Sequence, residues 1–377
     1  MIRKAQSVLE DARNAVRELH AGLWHEQVEL VLFFCSADYD LDALADEINR
    51  CFTGIHIIGC TTAGEIGPLG FRTRSISGVS FGSDSCTAVS GRLDALQTLD
   101  PAQGSAFVQS LLQNLERRAA DVNPRNTFAF MLIDGLSARE EFTAHTLQQA
   151  LGSIATFGGS AGDGLRFRKT HIFQGGQFRS NAAAVAVVNT QLPFRVFKTQ
   201  HFVRRKERLV VTGADSARRL VTEINGLPAA REYARTVGAD VFNLCPSRFA
   251  AHPVVVMIDG TDYVRSIQKV GADGSLTFYC AIDEGLVLRA ADGVDLVSNL
   301  ESTFHTLREQ IGPPQVVIAC DCTLRNVEID ERGLRSQVDE IMRRYGTVGF
   351  GTYGEQYGGV HVNQTLTGIA IGERGDV

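Results

Sequence analysis

The chain has 377 residues, 44% of them hydrophobic and 21% charged, which is enough apolar material for a sizeable core in roughly two domains. Its net charge of −6 comes from interspersed acids and bases, and no block of like charge is present to track a phosphate backbone or an anionic membrane, so nucleic acid is not an expected partner. No apolar run approaches the roughly 20 residues of a membrane helix, and the N-terminal MIRKAQSVLEDARNAVRELHAG lacks the apolar core and cleavage site of a secretory signal; the expected location is cytoplasmic, with no membrane association.

Residues 1–26 have the spacing of an amphipathic N-terminal helix. VELVLFFCS (28–36) then reads as a strand buried on both faces, DLDALADEINRCF (40–52) as a helix opened by an Asp, and IHIIGCTTAGEIG as a second strand ending in a glycine-bounded loop. This β-α-β grammar returns at TFAFMLIDG (127–135) through IATFGGSAGDG, and again at PQVVIACDC (314–322) through TVGFGTYGEQYGG. Between the second and third units lie short β-like runs, FRVFKTQHFV to GLVLRA, divided by Gly and Asp turn signals and interrupted by one helix, LPAAREYARTVG. They predict a mostly antiparallel sheet feeding into the last unit. The fold class is therefore α/β, with two domains, each a mixed sheet with flanking helices, built on repeated β-α-β units and divided as 27–195 and 196–377.

The eight cysteines are too sparse for a disulfide framework, and Cys320 with Cys322 has no second pair to complete a zinc site. The ends of the three units align as Thr62-Ala63-Gly64-Glu65, Ser160-Ala161-Gly162-Asp163 and Thr352-Tyr353-Gly354-Glu355: hydroxyl, variable, glycine, carboxylate. Such loops sit at the carboxyl ends of strands, where open α/β sheets bind ligands, and their polar groups suit a small polar ligand. The plainer alternative is that hydroxyl and carboxylate only cap nearby backbone amides. Two further strings point to chemistry without its context. GFGTYG (349–354) satisfies GxGxxG but is followed by EQYGGVHVNQT instead of a helix for a pyrophosphate. GGSAG (158–162) satisfies GxSxG, but DGLRFRK after it is not the helix of a nucleophile elbow. No enzymatic activity is expected.

GCTTAGEIG (59–67) resembles the signature loop of the FIST N domain, and EINGLPAAREYA with GFGTYGEQYGG and VNQTLTG is similar to the FIST C domain. The resemblance runs from about residue 28 to 372. Within that family, FFCSADYDL, KTQHFV, VTGADSARRLVTEINGLPAAREYA, YVRSIQKV, LTFYCAIDEGLVL and TYGEQYGGVHVNQT resemble the nitric-oxide-sensing, NosP-like subgroup. The subgroup implies a signal-transduction sensor that binds haem b non-covalently, senses nitric oxide and acts on a partner histidine kinase, as in two-component signalling, or on a cyclic-di-GMP synthase or phosphodiesterase. The wider family implies only small-ligand sensing, with amino acids as a ligand class, which is the haem-free alternative. Oligomeric state is left open, a homo-oligomer included.

With no CxxCH present, a haem would need an axial side chain, an apolar pocket and cations for its propionates. His201 comes first among the histidines: Phe197 and Phe202 lie beside it, and Arg204, Arg205, Lys206 and Arg208 follow. An extended backbone puts His201, Val203 and Arg205 on one face, with the last cation about 13 Å along from the imidazole at ~3.3 Å per residue. His252, opening the apolar run before Pro253, and His361, in the glycine-rich QYGGVHVNQT, are the alternatives. Tyr263 and Cys280 rank below them.

Overall fold

The computed structural model describes residues 1–258 and 260–373. Its contacts divide the chain into two compact units. The first holds Met1–Lys198, Leu300–His361 and the C-terminal strand from Leu366; the second holds Thr199–Asn299 and Val362–Thr365. These units cut the chain differently from a linear division at 195/196, because the third β-α-β unit joins the first two.

The first unit is one pattern repeated three times. Repeat 1 runs β1 (Ile2–Ser7), α1 (Ala12–Leu23), β2 (Val28–Ser36), α2 (Leu41–Cys51), β3 (His56–Thr62), the hairpin β4 (Glu65–Gly67) and β5 (Gly70–Arg72), then β6 (Ile76–Gly82). Repeat 2 runs β7 (Cys86–Asp94), α3 (Pro101–Glu116), β8 (Thr127–Ile133), α4 (Glu140–Leu151), β9 (Ala155–Ser160), the hairpin β10 (Ile172–Gln174) and β11 (Gln177–Arg179), then β12 (Ala182–Thr190). Repeat 3 opens with β13 (Phe194–Thr199) and is then interrupted by the second unit. That unit comprises β14 (Phe202–Arg204), β15 (Leu209–Asp215), β16 (Leu220–Ile224), β17 (Leu227–Pro228), α5 (Ala229–Val237), α6 (Pro246–Ala251), β18 (Val254–Ile258), β19 (Thr261–Arg265), β20 (Ile267–Val270), β21 (Leu276–Phe278) and β22 (Val287–Gly293). Repeat 3 resumes with α7 (Leu296–Ile311), β23 (Pro314–Cys322), α8 (Thr323–Glu331), α9 (Arg335–Arg344), β24 (Thr347–Thr352), the hairpin β25 (Glu355–Tyr357) and β26 (Val360–Val362), and β27 (Leu366–Gly372).

Each repeat builds the centre of one sheet from a parallel pair flanked by an antiparallel strand: β2 with β3 and β6, β8 with β9 and β12, β23 with β24 and β27. Its hairpin then completes a different sheet. The strand orders are β1-β6-β2-β3-β10-β11, β26-β25-β9-β8-β12-β7 and β13-β27-β23-β24-β4-β5. So repeat 2 lends its hairpin to the sheet of repeat 1, repeat 3 to that of repeat 2, and repeat 1 to that of repeat 3, closing a cycle.

The continuous apolar runs follow from burial on both faces. In β2, Leu30, Leu32 and Phe34 enter the core shared by all three sheets, while Val31, Phe33 and Cys35 pack with α1 and α2. In β8 the division is Phe128, Phe130 and Leu132 inward, Ala129, Met131 and Ile133 toward α3 and α4. The repeats meet at aromatic rings: Phe34 stacks on Phe350 at 4.5 Å and meets Phe130 edge-on at 6.2 Å. Each such fully buried ring is worth roughly 1.5–3 kcal/mol over an exposed one. Helix starts follow capping rules, with Asp11 accepting from the Asn14 amide, Asp40 from the Asp42 and Ala43 amides, and a reciprocal Asp100–Gln103 box before Pro101.

The N-terminus corrects the expectation of a helix over 1–26. β1 precedes α1 and pairs antiparallel with β6. Ile2 lies against the shared core and Ala5 on the helix side, the two-residue period of a strand. In the second unit every paired strand runs antiparallel where register is defined, as in β18 with β19 and β22, and β15 with β16. It does not feed into β23 and β24, which lie in the sheet of repeat 3.

Candidate functional site

The three aligned loops come together at the carboxyl ends of the parallel strands. In the first, the Thr62 hydroxyl donates to the Glu65 carboxyl and the Gly64 N–H donates back to Thr62 Oγ1 at 3.3 Å. The third repeats both bonds, Thr352 to Glu355 at 2.5 Å and the Gly354 N–H to Thr352 Oγ1 at 3.0 Å. Gly64 sits at φ 122° with its absent Cβ 2.2 Å from the Phe71 ring, so the turn admits no other residue. Glu65 is fully buried, and its other carboxyl oxygen accepts from the Ser75 N–H at 3.1 Å and the Ser75 hydroxyl at 2.6 Å. Burial pushes the Glu65 carboxyl up to about 8, against the opposing pull of its bonds from Ser75 and Thr62. At about 8 the protonated form predominates at pH 7, and its O–H can donate to Thr62 Oγ1, whose own hydrogen then goes to the Cys35 carbonyl at 3.3 Å.

The second loop has the same letters and different bonds. Ser160 Oγ accepts from the Gln356 side chain at 2.8 Å. Asp163 accepts the Phe167, Arg168 and Lys169 N–H groups at 2.9, 2.9 and 3.0 Å, and the Tyr353 hydroxyl donates to it. Burial pushes this carboxyl up, but Tyr353 and those amides outweigh it and hold it below its ordinary value. Asp163 is thus the turn cap of the plainer alternative.

Backbone bonds tie the loops into a ring. The Ala63 N–H donates to Gly351 O at 2.8 Å and the Gly351 N–H to Gly64 O at 2.7 Å; the Ser160 N–H donates to Gly354 O at 2.8 Å; Gly162 and Gly164 donate to Thr61 O and Thr62 O at 2.9 and 3.0 Å. The first and third loops differ at the variable position, while Ala161 of the second is fully buried. Tyr353 fills its corner, its ring 4.3 Å from that of Phe167, whereas Ala63 at the equivalent place leaves a cleft of about 230 Å³.

Ser36, Asp38, Thr62–Glu65, Thr73 and Arg74 from repeat 1 line that cleft, with Asp163–Arg166 from repeat 2. Three predicted residues, Thr62, Glu65 and Asp163, therefore share it, while Ser160, Thr352 and Glu355 lie in the ring around it. Sequence reading missed Asp38, Arg74 and Arg166. Asp38 lies just past the carboxyl end of β2, so the strand-end rule applied to β2 as well as β3 finds it; Arg74 and Arg166 carry no such signal. Arg166 pairs with Asp38 at 2.5 Å. A smaller cleft of about 30 Å³ adjoins, lined by Glu10, Ser36, Asp38, Tyr39 and Arg74.

The histidine candidates divide between the units. His361, in the first, is buried, and its Nδ1 lies 3.2 Å from Gln356 Nε2. His201 and His252 belong to the second. His201 is fully buried, with its ring 4.2 Å from that of Phe202. Val203 is exposed, so His201, Val203 and Arg205 do not share one face as an extended run requires: β14 begins only at Phe202. The two arginines expected for propionates are ion-paired, Arg204 with Asp262 and Arg205 with both oxygens of Asp292 at 2.7 and 2.9 Å. His252 is half-buried and places Nδ1 3.0 Å from the same Asp292. Arg205, first among the causes, holds the Asp292 carboxyl below its ordinary value.

A histidine whose Nδ1 faces a fixed carboxylate is oriented to offer Nε2 to a metal. Asp292, which sequence reading missed, orients His252, and this meets one of the three needs of a haem, while Arg204 and Arg205 are committed to carboxylates. Among the described residues no group of three or more His, Cys, Asp or Glu side chains is placed to hold a bare metal ion, and no helix is long and apolar enough to cross a membrane.

Three pseudo-equivalent repeats with a second unit inserted into the third, and a ring of polar loops at the strand ends, are the features the comparison with known families has to match. The FIST N domain model matches residues 29–227 and the FIST C domain model residues 229–358, and the chain belongs to the FIST family. FIST domains are sensory domains of signalling proteins and generally not catalytic. No curated protein matches the chain. The boundary between the two family matches falls inside the second unit, within β17.

Proposed function

We propose that this FIST protein is a nitric oxide sensor that binds haem b non-covalently through His252 and signals to a histidine kinase or a cyclic-di-GMP synthase or phosphodiesterase. The observation that carries the reading is the Arg205–Asp292–His252 arrangement, joined to the resemblance of both halves of the chain to the NosP-like subgroup. Bound haem would supply an iron to which nitric oxide coordinates. Arg205 fixes the Asp292 carboxylate, and Asp292 fixes the tautomer and ring plane of His252. A change of ligation at His252 would then be transmitted to Asp292 and, through Arg205, to the Thr236 carbonyl that it also binds at 2.8 Å, biasing the second unit between two conformations that a partner reads.

The test is the visible spectrum of the protein reconstituted with haemin, reduced, and exposed to nitric oxide, with His252→Ala and His201→Ala beside it. A gas-sensitive Soret band weakened only in His252→Ala is expected. A band weakened only in His201→Ala moves the ligand, and no stoichiometric band removes the haem reading.

The cleft favours a second reading, a haem-free sensor of a small polar metabolite such as an amino acid. At about 230 Å³ it falls below the ~300–1,000 Å³ of pockets for drug-sized ligands. Most of its lining residues are polar and they come from two repeats, so a bound metabolite would bridge them.

A further inference from the structure

The charges lining the cleft are not evenly committed. Arg166 is engaged twice, by Asp38 and by the Asp163 carbonyl, which accepts from its Nε at 2.8 Å. Asp163 is saturated by three amides and Tyr353. Glu65 is neutral, with both oxygens occupied by Thr62 and Ser75. Arg74 differs from all of them: it is exposed, lines both adjoining clefts, and among the described residues makes no hydrogen bond or ion pair. Its backbone is left-handed at φ 56°, a conformation an L-residue enters at a cost of roughly 1–2 kcal/mol. It immediately precedes Ser75, the residue that holds Glu65. The cleft thus has a buried Glu65 carboxyl, an Asp163 carboxylate saturated by amides and Tyr353, a rim ion pair that cancels itself, and one uncommitted guanidinium.

We infer that this cleft takes a small organic carboxylate whose carboxylate pairs with the Arg74 guanidinium, making Arg74 the residue that sets ligand charge. The proposal rests on the metabolite reading and specifies it. A planar guanidinium matches a carboxylate with two parallel N–H···O bonds, and a neutral Glu65 imposes no repulsion that an ionised one would. Ser36 and Thr73 line the cleft with hydroxyls for the rest of the ligand, and the second carboxyl oxygen of Asp38 can accept from a donor group. A ligand so held contacts the Arg74–Ser75 segment and the Asp163–Arg166 segment together, and these belong to different repeats.

The test uses ligand-detected saturation-transfer NMR on the full chain, with acetate, glycolate, succinate and glycine each measured against its amide. Arg74→Gln, Arg74→Lys and Ala63→Tyr, the last copying the residue that closes the equivalent corner, are run beside the unsubstituted protein after their melting curves confirm folding. The expected result is that at least one acid binds and its amide does not, with affinity reduced on the order of tenfold in Arg74→Gln and partly kept in Arg74→Lys. Acids and amides binding alike, unaffected by Arg74→Gln but abolished by Ala63→Tyr, would overturn the carboxylate assignment while leaving the metabolite reading standing. No binding by any of the eight probes would overturn both.

Discussion

The loops at 62–65 and 160–163 share a four-residue pattern and put it to opposite uses. In the first, the carboxyl is fully buried, neutral and held by two hydroxyls and one amide; in the second, it is ionised and caps three consecutive amides. The difference lies in the segment downstream of each loop. Glu65 opens β4, so its side chain turns inward against Ser75, whereas Asp163 leads into an eight-residue excursion before β10 whose amides need an acceptor. A repeated sequence pattern therefore establishes equivalent backbone placement and leaves the chemistry of the carboxylate undecided.

The largest way to break this comparison is at the glycines. Gly64→Ala drives a Cβ into the Phe71 ring at a positive φ and should cost about 3 kcal/mol in urea unfolding. Gly164→Ala, at φ 76° with open space around it, should cost only about 1 kcal/mol. Equal costs would mean that the first loop is no more tightly built than the second. Next comes Asp163→Ala, which strands the Phe167, Arg168 and Lys169 amides and should cost about 2 kcal/mol.

Glu65→Gln should instead be nearly neutral at pH 5 and change the pH dependence. A carboxyl at about 8 when folded and near ~4.3 when unfolded leaves the folded state holding an extra proton between those values. Its contribution is complete below the lower value and lost as pH rises through the higher one. Unfolding midpoints measured from pH 5 to 9 should therefore fall less steeply for Glu65→Gln than for the unsubstituted chain; parallel curves would show that Glu65 is ionised throughout. Tyr353→Phe removes the hydroxyl that donates to the Asp163 carboxylate and accepts from the Asp163 and Phe167 N–H groups, and should cost about 1 kcal/mol in the same unfolding measurement.

Much of the first unit was legible because its signals are local. The runs at 28–36, 127–135 and 314–322 are largely apolar because helices cover one face and the shared core the other, and each holds the predicted strand. The three loops were found because the repeat survives in their letters. What sequence could not carry was the partnership of the short hairpins: EIG and GFR at 65–72 contain nothing that names the sheet of repeat 3 as their destination. Nor could it show that the short strands from 202 to 293 interrupt repeat 3 instead of leading into it, since β13 and α7 flank them without any compositional break. Asp292 and Arg74 escaped for a related reason. Each matters through a neighbour distant in sequence, His252 for one and the clefts with their loop from repeat 2 for the other.

The cyclic exchange of hairpins makes the first unit indivisible. Cut anywhere between repeats, the chain loses a hairpin that closes some other sheet, and β3, β9 or β24 is left as an unpaired, largely apolar edge of the kind that templates aggregation. Because every closure joins residues far apart in sequence, as when β4 pairs with β24 across more than 270 positions, little of that unit can be completed before its last strands have been made. Domain dissection is thus the wrong tool for this sensor: fragments of the first unit will report on exposed edges, and the full chain is the smallest object in which its loops exist.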